Sequence, residues 1–295
     1  MKKYLSFFRL RFAMSLQYRV AALAGVVCQF FWGAMAILAF YAFYETDPAA
    51  FPMDFQATAS YIWLQQGLLA MLAVYGGTDA KVFESIQNGN IVYELCRPVS
   101  IYSMWFANNL ANRLARALLR LIPVVVVASL LPAPFGLMAP PDIVTGLLFA
   151  LSLMLALWVV AAFTLVVYNV TFFTISDRGV RLVAVALSDF LMGAVVPLPF
   201  FPDGFRQFAE LLPFSCMENV PLRVYSGDLA GPEMARAILL QVFWIFALVA
   251  VGKVLEQKAL KRVVVQGGCP NAEIVRKRFF HPPEKRNAEL VGFFY

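Results

Sequence analysis

Charged residues are few in this 295-residue chain, 14% against 61% hydrophobic, and the mean hydropathy is +0.71. A soluble domain ordinarily carries about a quarter of its residues charged, so the shortage excludes that class. Histidine is nearly absent: His281 stands alone in a polar tail, without the ligand spacing of a metal site or of an H-E-x-x-H motif. Neither G-x-x-x-x-G-K-[ST] nor G-x-S-x-G occurs. The chain therefore has no P-loop to cradle nucleotide phosphates and no nucleophile elbow, and an enzyme reading has no nucleophile–base pair to start from. The four cysteines, Cys28, Cys96, Cys216 and Cys269, fall in different compartments on the topology below, which implies no disulfide framework. Cys28 reads as a small apolar core residue.

What is present is apolar sequence in long runs. A helix needs roughly 17 to 25 such residues to cross a hydrocarbon core of about 30 Å. Six candidate spans appear, at 20–44, 60–76, 118–131 with an amphipathic lead-in from Met104, 143–170, 180–198 and 235–252. No segment shows the alternation of a membrane barrel. The predicted fold class is an all-α polytopic membrane protein with six transmembrane helices.

Topology follows from where the positive charges fall. With the N-terminus cytoplasmic, 24 Lys and Arg divide so that only Arg206, Arg223 and Arg236 lie outside. That asymmetry satisfies the positive-inside rule and places both termini in the cytoplasm. The net charge of +6 requires no nucleic acid, since anionic membrane lipid attracts the same residues. A cleaved signal peptide is the rival reading of the N-terminus, with Ala34-Met35-Ala36 as its cleavage-like triplet, but the apolar run continues through Tyr44, too long for a signal core.

Residues 1–19 interleave Tyr4, Phe7, Phe8, Leu10, Phe12, Met14 and Leu16 with basic residues, which predicts a helix lying in the cytoplasmic interface. The membrane domain then runs over 20–262, and a basic tail over 263–295, rich in charge with Gly267, Gly268 and three prolines, is expected to be poorly ordered. The outer loops starting at Glu45 and Leu131 are acidic or Pro-rich and too small for a substrate-binding domain. After the fifth span, Pro197, Pro199 and Pro202 break the helix while Phe200 and Phe201 stay apolar, and 203–212 returns to helical spacing with Phe205, Phe208, Leu211 and Leu212 on one face. Residues 197–212 read either as a broken element at the outer surface, tolerated where protein or water satisfies its backbone, or as an interfacial loop helix.

Ionisable residues inside the spans are scarce. Asp189, within VAVALSDFLMGAVV, must face protein or water. It reads as a structural hydrogen bond to a neighbouring helix ahead of a proton or substrate site, because the other spans contain no carboxylate, Lys or His to partner it. Asp189, Pro197, Pro199, Phe200 and Phe201 are the candidate translocation or gating residues. Arg113, Arg116 and Arg120 share one helical face and read as snorkelling to cytoplasmic headgroups.

The polar stretch between the second and third spans, 77–100, is the candidate contact for a partner. KVFESIQN, residues 81–88, makes two helical turns with Val82, Phe83 and Ile86 on one side and Lys81, Glu84 and Gln87 on the other, stopped by Asn88-Gly89-Asn90. An apolar knob presented in the cytoplasm suits a groove on another protein; an ordinary connecting loop is the plainer reading.

Four runs, IWLQQGLLAM from Ile62, GNIVYELCRPVSIYSMWFANNLANRLARALLR from Gly89, SDFLMGAVVPLPFFPDG from Ser188 and KALKRVVVQGG from Lys258, resemble the ABC-2 type permease family of bacterial ABC transporters. The resemblance spans about residues 1–268 and carries no catalytic signature. It implies a six-helix, type V exporter-like permease with both termini cytoplasmic, in the bacterial inner membrane. It also implies a coupling helix seated on a separate ABC ATP-binding subunit and a second copy or sister permease. This chain itself would bind no cofactor; ATP and Mg would belong to the partner. The positions matching the coupling region are Lys81, Val82, Phe83, Glu84, Ile86, Asn88, Gly89, Glu94 and Arg97. The alternatives are a secondary transporter or channel driven by an ion gradient, which would need Asp189, and a membrane enzyme or scaffold without ATPase. The substrate is not legible, because the spans are apolar toward lipid and pore alike.

Overall fold

In a computed structural model the described residues are 2–17, 19–74, 79–174 and 177–261, and every regular element among them is helical. The elements in order are α1 (Lys2–Ser15), α2 (Arg19–Thr46), α3 (Phe55–Leu72), α4 (Asp79–Gln87), α5 (Ile91–Leu95), α6 (Ile101–Leu130), α7 (Ile143–Thr171), α8 (Asp177–Met192), α9 (Asp203–Leu211), α10 (Asn219–Tyr225) and α11 (Gly231–Leu260). Short 3-10 turns occupy Pro48–Ala50 and Leu198–Phe200. The tail read as poorly ordered, with Cys269 and His281, lies outside the described residues.

Local chemistry starts the helices where the apolar runs begin. Asp54, Ser100 and Asp142 cap α3, α6 and α7, their side chains accepting from the backbone N–H of Gln56, Ser103 and Thr145, which satisfies donors the first turn leaves open. At Asp142 the Thr145 hydroxyl and N–H together hold the exposed carboxyl below its ordinary range. Gly193 ends α8 with φ +88°, a left-handed turn that glycine adopts without strain.

Around the buried α3, α6 packs on one side and α2 on another; α7 lies against α11 and α10, and α1 lies along α6. Helices approach closely where a side chain is missing. A Cβ on Gly252 of α11 would fall 2.9 Å from the Tyr102 ring of α6, the small-residue contact that membrane helices favour because apolar area gives no preference for protein over lipid. Buried amides tie the same helices: Gln241 donates to the carbonyls of Ser152 and Cys216, and Asn169 donates to Gly252 O.

Three helices among the described residues are long and apolar enough to cross a membrane, within α2 (Ala22–Thr46), α7 and α11. The other expected spans differ for physical reasons. The third, expected at 118–131, is the distal half of the 30-residue α6, whose polar first half is helix too because it is buried against protein. The fifth stops at Met192, and residues 193–197 of its apolar run form the turn beyond α8. The second begins at Phe55 and is enclosed by other helices along nearly its whole length, so Ser60 and Gln65 are tolerated in it. Cys28 corrects its expected place: it is exposed on the outer face of α2.

Candidate functional site

Two assemblies stand out, one under the segment of α4 and α5 and one beside the break after α8. The first begins with the amphipathic α4. Phe83 is 2% exposed and Val82 is buried with it; Ile86 is half-buried. They join Ile91, Tyr102, Trp105, Leu165 and Tyr168 in one apolar cluster, bordered by Phe7 of α1, Val180 and Ala184 of α8 and Val249 of α11. Phe83 and Trp105 both meet the Tyr168 ring edge-on, at 5.1 and 5.7 Å. The Arg181 guanidinium of α8 lies 5.2 Å from the Phe83 ring centre.

This corrects the outward knob expected of α4: its apolar face is turned into the chain's own core, because α6, α7 and α8 supply the apolar cover that the knob reading assigned to a partner. The surface left to the outside is polar, formed by Lys81, Glu84, Gln87, Asn88, Gly89 and Asn90. Beyond it Tyr93 of α5 is 75% exposed and Arg97 is exposed. Gly89 sits at φ +71°, closing α4 in the left-handed turn that starts α5. Glu94 is half-buried and accepts from Trp105 Nε1 at 2.7 Å. Gln87 donates to Asp177, which also pairs with Arg181 at 3.0 Å, so α4 is tied to the start of α8. Helix α1 adds a strap: Lys3 Nζ donates to Pro98 O, the Ser100 N–H donates to Tyr4 Oη, and Ser15 donates to Asn112.

Arg113 corrects a second expectation. It does not snorkel; it is wholly buried. Its Nη1 donates to Met71 O and to Ala73 O, its Nη2 to Val74 O at 2.9 Å and Thr164 Oγ1 at 3.0 Å, and its Nε to Asn109 Oδ1 at 2.6 Å. A guanidinium is well shaped to collect the open carbonyls at a helix C-terminus. Here it binds the end of α3, the last turn before the connection to α4, to both α6 and α7. The i, i+3, i+7 spacing showed a shared face and not its depth; the neighbouring Asn108, Asn109 and Asn112 were the available signal that this face meets protein.

The second assembly involves the gating candidates. Pro197 and Pro199 are buried, while Phe200 and Phe201 are half-buried. Phe200 packs at a tilt against Phe40 of α2 and edge-on against Phe51, at 4.9 and 5.2 Å, and Phe201 meets Phe190 and Phe205. The broken element is thus clamped by rings from α2, α8 and α9. Asp189 is half-buried. Its charged neighbour comes from outside the expected spans: Glu218, in the connection before α10, lies close enough to Asp189 for the two charges to act on each other. Glu218 is fully buried, and Gln65 Nε2 of α3 donates both to its Oε1 at 2.6 Å and to Gly193 O at 3.0 Å. No sequence spacing marks this residue.

The family described as ABC-2 family transporter protein matches residues 30–267, and the chain belongs to it. No curated protein and no solved structure matches the chain significantly. Among the described residues no group of His, Cys, Asp and Glu side chains could hold a metal ion.

Proposed function

We propose that this chain is the permease subunit of an ABC exporter in a bacterial inner membrane, working as a pair of permease halves on separate ATP-binding subunits. In this reading α2, α3, α6, α7, α8 and α11 cross the membrane with both termini cytoplasmic, and α1 rests at the cytoplasmic interface. The observation that carries it is the coupling segment itself. Its outer face is polar and uncovered, while its inner face is anchored by Phe83 in a cluster shared by α1, α6, α7, α8 and α11. A push on Lys81, Glu84, Asn88, Gly89, Tyr93 or Arg97 therefore reaches five helices through packed side chains, which yield as a unit. Arg113 passes the same displacement into α3. The half-buried rings of Phe200 and Phe201 at the outer end are compatible with a small or amphiphilic cargo leaving there.

The test is copurification of the tagged chain from its native membranes. An ATP-binding protein is expected to accompany it, and Glu84→Arg combined with Tyr93→Ala is expected to release that protein while the permease stays folded. A clean preparation lacking such a partner, together with undiminished substrate movement by the double variant, would overturn the reading.

A further inference from the structure

Glu218 is an acid in a place that does not suit its ionised form. Its side chain has no exposure, and Oε2 makes no hydrogen bond. The neighbouring Asn219, 1% exposed, likewise leaves Nδ2 without a partner, while its Oδ1 accepts from Tyr61 Oη at 3.4 Å. Among the described residues the Glu218 carboxyl accepts a single, neutral hydrogen bond, from Gln65. A buried carboxylate ordinarily needs a cation or several donors to offset the loss of water.

The surrounding charges do not supply that offset. From α8, Asp189 faces Glu218 with like charge. Tyr61 of α3 is uncharged. Arg223 of α10 is engaged elsewhere, by Glu210 of α9 at 2.6 Å and by Asp228. Helix α7, which packs on α10, contains no Asp, Glu, Lys or Arg.

We propose that Glu218 is a proton-binding site: its carboxyl holds a proton in the resting protein, and loss of that proton unlatches the connection between α8 and α10. The latch is Gln65, whose single amide nitrogen joins α3 to Gly193 at the end of α8 and to Glu218 at the start of α10. Protonated, the trio is a neutral network closed around the 193–218 connection that holds Pro197, Phe200 and Phe201. Ionised, Glu218 draws water toward Oε2, and the connection that excludes this water must move. The burial that excludes water pushes the Glu218 carboxyl up to about 8 from an ordinary 4.5. The raised value means the contribution to folding is fully present below the ordinary carboxylate range and is lost as pH rises through about 8. The site stands whether or not the chain works with an ATP-binding subunit.

Infrared difference spectroscopy of the purified full-length chain in nanodiscs reads the proton directly. A carboxylic C=O stretching band is expected at neutral pH, absent in Glu218→Gln and retained in Asp189→Asn, and lost in the wild type with a midpoint near 8. Hydrogen exchange of residues 198–217, corrected for its intrinsic pH dependence, should accelerate at least tenfold through the same range in the wild type and stay flat in Glu218→Gln. Should Glu218→Gln fail to fold, Gln65→Leu gives the independent reading: the band remains while exchange of the segment is already fast at neutral pH. A band that titrates in the ordinary carboxylate range, or exchange that is indifferent to pH in the wild type, would overturn the proposal.

Discussion

Arg113 on α6 and Thr164 on α7 meet at 3.0 Å, and the Thr164 hydroxyl in turn donates to Val160 O at 2.8 Å and lies within 3.3 Å of Val74 O. The pair closes the C-terminal end of α3 against two other helices. The guanidinium there is held by backbone carbonyls, a side-chain amide and a hydroxyl contributed by three helices.

Arg113→Gln is therefore expected to destabilise the bundle by about 3 kcal/mol or more, since several buried carbonyls lose their donor at roughly 1 to 3 kcal/mol each. Thr164→Val should cost about 1 kcal/mol. Thermal unfolding in detergent checks both, and the double variant should cost less than the sum because the two groups share Val74. A thermal midpoint of Arg113→Gln equal to that of the wild type would show that the guanidinium is not where α3 ends.

The inward and outward faces of α4 should separate in their effects. Phe83→Ala removes a ring from a closed cluster and is expected to cost about 3 to 5 kcal/mol, seen as a lowered unfolding temperature. Glu84→Arg and Tyr93→Ala change exposed positions and should leave that temperature within the range of a surface change, about 0.5 kcal/mol, while binding of an ATP-binding subunit weakens. Equal loss of stability in both groups would mean that the exposed face is not free.

Gly252 tests the close approach of α11 and α6. Gly252→Ala places a methyl 2.9 Å from the Tyr102 ring, and the overpacking is expected to cost about 1 to 3 kcal/mol. Tyr102→Leu in the same background should recover part of the loss, measured by thermal unfolding of the single and double variants.

Cys96 reports the orientation of the coupling segment. It is exposed, so in a chain with Cys28→Ala and Cys269→Ser a membrane-impermeant maleimide should label it in inverted vesicles and not in intact cells. Labelling from the cell exterior would reverse the proposed topology.

The reach of sequence reasoning shows best at particular residues. The face of α4 was legible because Val82, Phe83 and Ile86 repeat at helical spacing; its direction was not, since periodicity says that a face is covered and not by what. The turn after α8 was half legible: Pro197, Pro199 and Pro202 marked the break, but the apolar Ala194, Val195 and Val196 disguised the end of the helix at Met192. Glu218 was invisible, because a lone acid between short helices has no pattern of its own. Its burial depends on Gln65, which lies 153 positions away in the chain.

What the sequence determined by itself was the class: apolar runs long enough to span lipid, few charges, and no nucleotide motif, all of them additive properties that any folding of the chain must respect. The tertiary structure alone decided which charges are enclosed. Arg113 and Glu218 are ordinary letters in the sequence, and each is expensive to bury. Only the meeting of α3 with α6 and α7 provides the first with its carbonyls, and only the packing of α3, α8 and the approach to α10 buries the second.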